Sequence, residues 1–443
     1  MNTSRVTACL AVRRFPPIAV CAGFAAVALG LTAPATAPAA DFPPQARALQ
    51  TMLVEKVMPY WYDTTLDTAN GGYLLADDRK GRGVATEKQI VTQCRMVWTF
   101  SLVHRKGLVG DRSRNYLRAA ESGYRFLMDH FHDPENGGYF WKTDLAGKPV
   151  HDCKFLYGES FVVYALVEYH RASGDPEVLR QALDLYRTLQ AKLHDPQHGG
   201  WLEHATRDWQ PLPPNDPRNE VEVVGLRSAN AHLHWMEALA ELYAATGDLE
   251  VKESLKEALR INASWFYPKD AGKAAFHRQP DWSPVTDPKS AGLSYGHNVE
   301  FAWLMMRAEE VLGGRPSWKH FDAILAHALK YGYDYERGGL YNRGEDDQPA
   351  TQTDKVWWVQ AEMLAALTDG LKHRENVVYA EALDRLLRFI WTYQTDPADG
   401  IWFDTVAFDG KPKSTAKAHN WKANYHDVRA MVKFIEAFAP ASP

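Results

Sequence analysis

Six short clusters gather the residues whose types could do chemistry: Gln93-Cys94-Arg95, Tyr157-Gly158-Glu159-Ser160, Asn230-Ala231-His232-Leu233-His234, His297-Asn298-Val299-Glu300, Trp357-Trp358-Val359-Gln360 and Tyr425-His426. Together they offer three histidines (His234, His297, His426), one arginine, several carboxylates and a rim of Trp and Tyr. Imidazole, with an ordinary pKa near ~6.5, is a base when neutral and an acid when protonated, and neither form is costly near neutral pH. Two imidazoles on opposite faces of a carbon could remove a proton from one side and return one to the other. Arg95 stays charged and could hold an enolate-like oxyanion. The set suits proton transfer beside a carbonyl.

Plainer readings compete at each position. A single histidine at a helix start more often caps or packs, but His234, His297 and His426 at equivalent positions of three units favour chemistry. His232, two residues from His234, lies off its helix face and reads as structural. Trp357 and Trp358 are adjacent, so at least one belongs to the core. His104, His130, His132, His151 and His170 read as surface or packing residues. His and Glu are metal ligands too, but there is no HExxH or Cys-rich pattern, and a site without metal is preferred.

The elements that must position these clusters follow from a repeat. A turn recurs as Asn70-Gly71-Gly72-Tyr73, Asn136-Gly137-Gly138-Tyr139, His198-Gly199-Gly200-Trp201, Arg337-Gly338-Gly339-Leu340 and Asp399-Gly400-Ile401-Trp402, with a degenerate copy at Asp270-Ala271-Gly272. The glycines at 71, 137, 199, 272, 338 and 400 lie 66, 62, 73, 66 and 62 residues apart. Asp-Pro precedes three of the turns and stops a helix there. Between turns, apolar residues such as Phe161, Ala165, Leu166 and Tyr169 recur at helical spacing. Each unit therefore predicts a helix, a glycine turn with a short connection able to form a hairpin, and a second helix. Gly107, Gly174, Gly247, Gly313 and Gly370 are expected to end second helices. The last unit, with Phe434 and Phe438, is as apolar as the middle ones, which favours closure into an (α/α)6 barrel over an open solenoid. In a closed ring the six clusters meet at one end of the inner wall.

Composition favours a neutral or weakly charged ligand. Lys+Arg 50 against Asp+Glu 55 gives a net charge of -5, so no excess of positive charge exists to neutralise nucleic acid. Fifteen Trp among 443 residues suit stacking on sugar rings or filling a large core. Arg5, Arg13 and Arg14 precede an apolar run from Ile18 to Leu31, too short to span a bilayer as a stable helix. Residues 1–40 are read as an export signal cleaved near Ala39 or Ala40, and 41–443 as one barrel domain, periplasmic or secreted and free of membrane. Cys9 and Cys21 leave with the signal. Cys94 and Cys153 remain, a disulfide between them is left open, and the fold is expected to stand without one.

At these motifs the sequence resembles the N-acylglucosamine 2-epimerase superfamily, most closely its cellobiose 2-epimerase branch. The motifs are Gln-Cys-Arg at 93–95, Asn-Ala-His-Leu-His at 230–234, Tyr-Gly-His-Asn-Val-Glu at 295–300, Trp-Trp-Val-Gln-Ala-Glu at 357–362, and Trp421-Lys422 with Tyr425-His426. The resemblance implies an (α/α)6 barrel that epimerises or isomerises a reducing sugar without cofactor or metal, as a monomer or homodimer. It makes His297 and His426 the acid/base pair, Arg95 the arginine at the reacting end, and His234 and Glu300 orienting or tuning residues. Tyr157, Asn230, Trp358 and Trp421 become sugar contacts. Trp-Trp-Val-Gln-Ala-Glu favours a disaccharide of the cellobiose or mannobiose type. N-acylglucosamine 2-epimerase or mannose isomerase activity on a monosaccharide is the alternative. His419-Asn420-Trp421-Lys422-Ala423 departs from the branch pattern at the outer subsite. From another class, an (α/α)6 glycoside hydrolase would draw an acid and a base from Glu159, Glu237, Glu300 and Glu362.

Overall fold

Two kinds of helix alternate along the chain, and their burial patterns say where each belongs. In α6 (Pro176–Leu193) the buried residues are Val178, Ala182, Leu185, Tyr186, Leu189 and Leu193, one stripe at helical spacing with charged residues elsewhere. In α3 (Ile90–Arg105) every residue from Ile90 to Val103 is buried. A helix buried all round must be enclosed by other helices. A computed structural model describes residues 42–76, 85–286 and 292–439, and the expected export signal lies outside them.

The inner helices are α3, α5 (Leu156–Ser173), α7 (Ala229–Thr246), α9 (Tyr295–Val311), α11 (Trp357–His373) and α13 (His426–Phe438). Each packs on the next in that order. The outer layer consists of α1 (Phe42–Met52) with α2 (Met58–Thr65), then α4 (Tyr116–Phe126), α6, α8 (Leu249–Ile261), α10 (Trp318–His327) and α12 (Val377–Phe389). The ring closes where the last unit meets the first. Thr99 Oγ1 donates to the Asn424 carbonyl at 3.2 Å, Trp98 meets Tyr425 edge to face at 5.1 Å, and Phe42 packs on Phe434 and Phe438. This is the expected (α/α)6 barrel.

The glycine turns are built alike. In five of them an aspartate four residues before the first glycine exchanges backbone hydrogen bonds with the turn, as in Gly137 N–H to Asp133 O at 2.9 Å. A cation is buried against the carboxylate of each: Lys88 on Asp67 at 2.9 Å, Lys154 on Asp133 at 2.9 Å, Arg227 on Asp195 at 2.5 Å, Lys355 on Asp334 at 2.6 Å and Lys417 on Asp396 at 2.8 Å. The degenerate sixth turn lacks the aspartate yet keeps the closing bond, Ala275 N–H to Phe266 O at 2.7 Å, matching Phe140 N–H to Phe131 O at 2.8 Å. Gly138 needs both its φ of +71° and its missing side chain, since a Cβ there would lie 2.6 Å from the Trp209 ring.

A second side chain ties five of the six turns to the inner helix that follows. The N–H after the turn donates to the fourth residue of that helix: Tyr73 to Gln93 at 2.9 Å, Tyr139 to Glu159 at 2.8 Å, Trp201 to His232 at 3.4 Å, Ala274 to Asn298 at 3.2 Å and Leu340 to Gln360 at 2.8 Å. His232 is thus structural, as its spacing suggested.

Three expectations are corrected or sharpened. The hairpins do more than connect, because the strand before each of the first five inner helices pairs with the next unit, as in Glu87–Gln89 with Lys142–Asp144, Lys154–Phe155 with His204–Ala205 and Lys355–Val356 with Thr405–Val406. Gly370 does not end a helix. It lies inside α11, where the Tyr379 ring packs against it. Cys94 and Cys153 are both buried free thiols, so no bridge joins them.

Candidate active site

The inner helices start at one end of the ring, and their first two turns carry the residues singled out above. Arg95 is the sixth residue of α3, His234 of α7, Glu300 of α9 and Glu362 of α11, while His297 is the third residue of α9. The three histidines therefore do not share one position, as their motifs suggested. His234 sits one turn deeper than His297, level with the other sixth residues.

The floor is a buried charge network. Arg429 donates to Glu300 at 3.1 Å and to Glu362 at 2.8 Å, and contacts Glu237 and the Tyr425 hydroxyl. Tyr425 Oη donates to Glu237 at 2.8 Å, and Trp303 Nε1 donates to Glu362 at 2.9 Å. Burial works to raise Glu362, but the Arg429 guanidinium and the His426 ring outweigh it and hold the carboxylate low. Glu237 is held low in the same way by Arg429 and His234 against its burial. Burial and the neighbouring Glu362 charge push Glu300 well above the usual range, against the pull of Arg429.

Above the floor stand the histidines. His426 Nδ1 donates to Glu362 at 2.6 Å and His234 Nδ1 to Glu237 at 2.8 Å, which leaves Nε2 of each ring as the basic nitrogen. His297 Nδ1 shares a 2.7 Å hydrogen bond with Ser294 Oγ. Burial pushes His297 and His426 down to about 3, with Glu362 opposing the shift at His426. Burial lowers His234 as well, against the pull of Glu237. All three are neutral bases at rest.

The remaining residues close the wall. Trp358 lies between the pair, 4.7 Å from the His297 ring and 5.9 Å from the His426 ring. Trp357 turns to the core against His419, 5.9 Å away. Arg95 donates to Tyr157 Oη at 3.1 Å and to the Trp421 carbonyl at 3.3 Å, over the Phe161 ring. Tyr157 and Phe161 meet His234 at 5.3 and 4.8 Å. Trp421, 38% exposed, forms the rim. Asn230 Nδ2 donates to Glu222 at 2.9 Å, and its Oδ1 is buried without a partner among the described residues. Arg95, Tyr157, Asn230, His234, His297, Glu300, Trp358, Trp421 and His426 thus line or floor one chamber.

Some residues of this chamber were not singled out as site residues. Arg429 and Glu237 each lie three positions, one turn, after a named histidine, and that spacing was the available signal. Glu222 carried none. It comes from an irregular segment, adopts a left-handed φ of 52°, and is held by His277 at 3.0 Å as well as Asn230. Of the carboxylates a hydrolase would need, Glu159 is absent from the chamber, bound to the Tyr139 turn. Glu237, Glu300 and Glu362 converge on one guanidinium instead of flanking a bond. Glu300, Glu362 and His426 place ligand atoms within 4.8 Å of one another, but Arg429 already supplies the positive charge on both carboxylates.

Comparison with known proteins agrees with the geometry. The chain is 31% identical over 394 residues to a cellobiose 2-epimerase of Ruminococcus albus, across 86% of this chain and 96% of the relative. It is 23% identical over 394 residues to a D-mannose isomerase of Marinomonas mediterranea, across 86% and 95%. The solved structure of the cellobiose 2-epimerase from Spirochaeta thermophila DSM 6192 superposes with a TM-score of 0.79 at 30% identity, covering 90% of this chain and 97% of that one. The family profile described as N-acylglucosamine 2-epimerase (GlcNAc 2-epimerase) matches residues 72–430, and the chain belongs to that family.

Proposed function

We propose that the protein is a carbohydrate 2-epimerase that inverts C2 at the reducing end of a disaccharide of the cellobiose or mannobiose type, through an enediolate. The observation that carries this is the pair of neutral histidines on either side of Trp358, His426 buried and His297 half-buried, with the Arg95 guanidinium in the same chamber. The sugar ring opens as His426 Nε2 takes the proton of the anomeric hydroxyl and delivers it to the ring oxygen. One imidazole then removes the C2 proton, and Arg95 holds the oxygen charge that develops at C1. Rotation about C2–C3 and delivery of a proton from the other imidazole, which draws it from solvent while the first releases its own, give the epimer. His234 and Glu300 orient substrate and network, while Tyr157, Asn230, Trp358 and Trp421 contact the sugar.

Return of the proton to C1 instead of C2 gives the ketose, so the same groups support aldose–ketose isomerisation. The D-mannose isomerase relative favours keeping that second reading. The leader read in residues 1–40 supports action in the periplasm or outside the cell.

The test is incubation of the purified protein with cellobiose, mannobiose, glucose, mannose and N-acetylglucosamine in deuterium oxide. We expect deuterium at C2 with the glycosidic bond intact, and no exchange with a folded His426→Ala variant. Cleaved product with an unlabelled C2 would overturn the reading.

A further inference from the structure

The ring has a second chamber at its other end. A cavity of about 500 Å³ lies among the C-terminal ends of the inner helices, within the usual size of small-molecule sites, roughly 300–1,000 Å³. Along α3 its lining runs from Trp98 to Lys106, starting three residues and about 4.5 Å beyond Arg95, on the other side of the buried Arg429 network from the histidines. Only the Arg429 layer divides the two.

Three features define what it can hold. Its walls are part apolar, from Trp98, Leu102 and Met306. Most of its charges are already matched: Arg105 donates to Glu168 at 2.7 Å, Arg171 and Arg307 share Glu241 at 2.6 and 2.7 Å, and Lys433 reaches Asp369 at 2.8 Å, while the exposed Lys372 is a lining cation outside these pairs. A charged ligand would have to break one of these pairs and leave the other partner uncompensated. A neutral hydroxyl can add to both members of a pair, since each keeps spare lone pairs or N–H groups. Finally, Arg429, 3% exposed, lines the cavity and has an Nε with no hydrogen-bond partner among the described residues. A buried donor left unmade is costly, and an acceptor oxygen would satisfy it.

We propose that this basal chamber is a second carbohydrate site, taking a neutral mono- or disaccharide with one hydroxyl accepting from Arg429 Nε. The choice of ligand follows from the matched charges and apolar walls, and does not require the reaction proposed for the upper chamber.

The probe is methyl β-D-glucoside, which has no free anomeric hydroxyl and cannot ring-open. Calorimetric titration compares the full-length protein with Leu102→Trp and Met306→Trp, which fill the basal cavity, and with Trp358→Ala, which alters the upper chamber. We expect two equivalents bound by the unchanged protein, one by each filled variant, and cellobiose turnover within about twofold in the filled variants. A single equivalent that survives Trp358→Ala and is lost on filling supports the basal site and counts against the upper-chamber reading. A single equivalent lost in Trp358→Ala, or two equivalents retained by both filled variants, would overturn the proposal.

Discussion

Histidine in water gains its proton near ~6.5, whereas His297 and His426 resist it down to about 3 because burial makes the imidazolium expensive. The sign for catalysis follows directly. A lowered pKa keeps each ring neutral, and therefore basic, through the range where free histidine is protonated. We expect kcat/KM to stay level as pH falls through 6.5 toward 5, and a fall centred on 6.5 would contradict the resting state described. The charge on Glu362 is what steadies His426 when it does take a proton. Glu362→Gln keeps the shape and removes that charge, so kcat should drop by about 10–100-fold with the smaller change in KM, measured on cellobiose. The histidines and Arg95 were legible because their chemistry is unusual at a helix start. Glu222 was not, because a residue held in a strained loop by His277 and Asn230 has no periodicity to announce it.

Among the elements, the link between glycine turn and inner helix offers a sharper comparison. Gln93 accepts from Tyr73 N–H and donates back to Tyr73 O at 2.9 Å, and Gln360 does the same with Leu340 at 2.8 and 2.7 Å. At the matching place, Glu159 accepts from Tyr139 N–H at 2.8 Å, and its Oε2 is buried without a partner among the described residues. Burial raises its carboxyl to about 8. A folded pKa above the unfolded value means a contribution fully present below the ordinary carboxylate range and lost as pH rises through about 8. Glu159→Gln restores the two-way bond of its neighbours and removes that loss. The variant should be more stable at pH 9 by about 1–3 kcal/mol, with little difference at pH 4, as measured by urea unfolding. The turns themselves were readable from glycine spacing. The strands that cross from one unit to the next were not, since two- or three-residue segments carry no alternation to count.

For the molecule as a whole, the closed ring was legible from six similar units of which the last was as apolar as the rest. What the repeat could not show was how the seam is made. There, α1 is fastened to α13 by Phe42 against Phe434 and Phe438, with ring centres 5.9 and 4.9 Å away. Phe434 is fully buried, so Phe434→Ala should cost about 3–5 kcal/mol. The loss should appear by calorimetry as a lower Tm. A change confined to the last unit, with an unaltered main transition, would show that the seam is not part of the cooperative structure.

That seam also brings the first described helix and the last one together. A ring whose first and last described helices share one contact has no privileged place to be cut. Joining residue 439 to residue 42 by a short linker and opening the chain in the outward connection at Gly313–Gly314 would give a circular permutant with the same helix order around the ring. Both chambers depend on that circular order, and the point at which the chain starts along it is mechanically neutral.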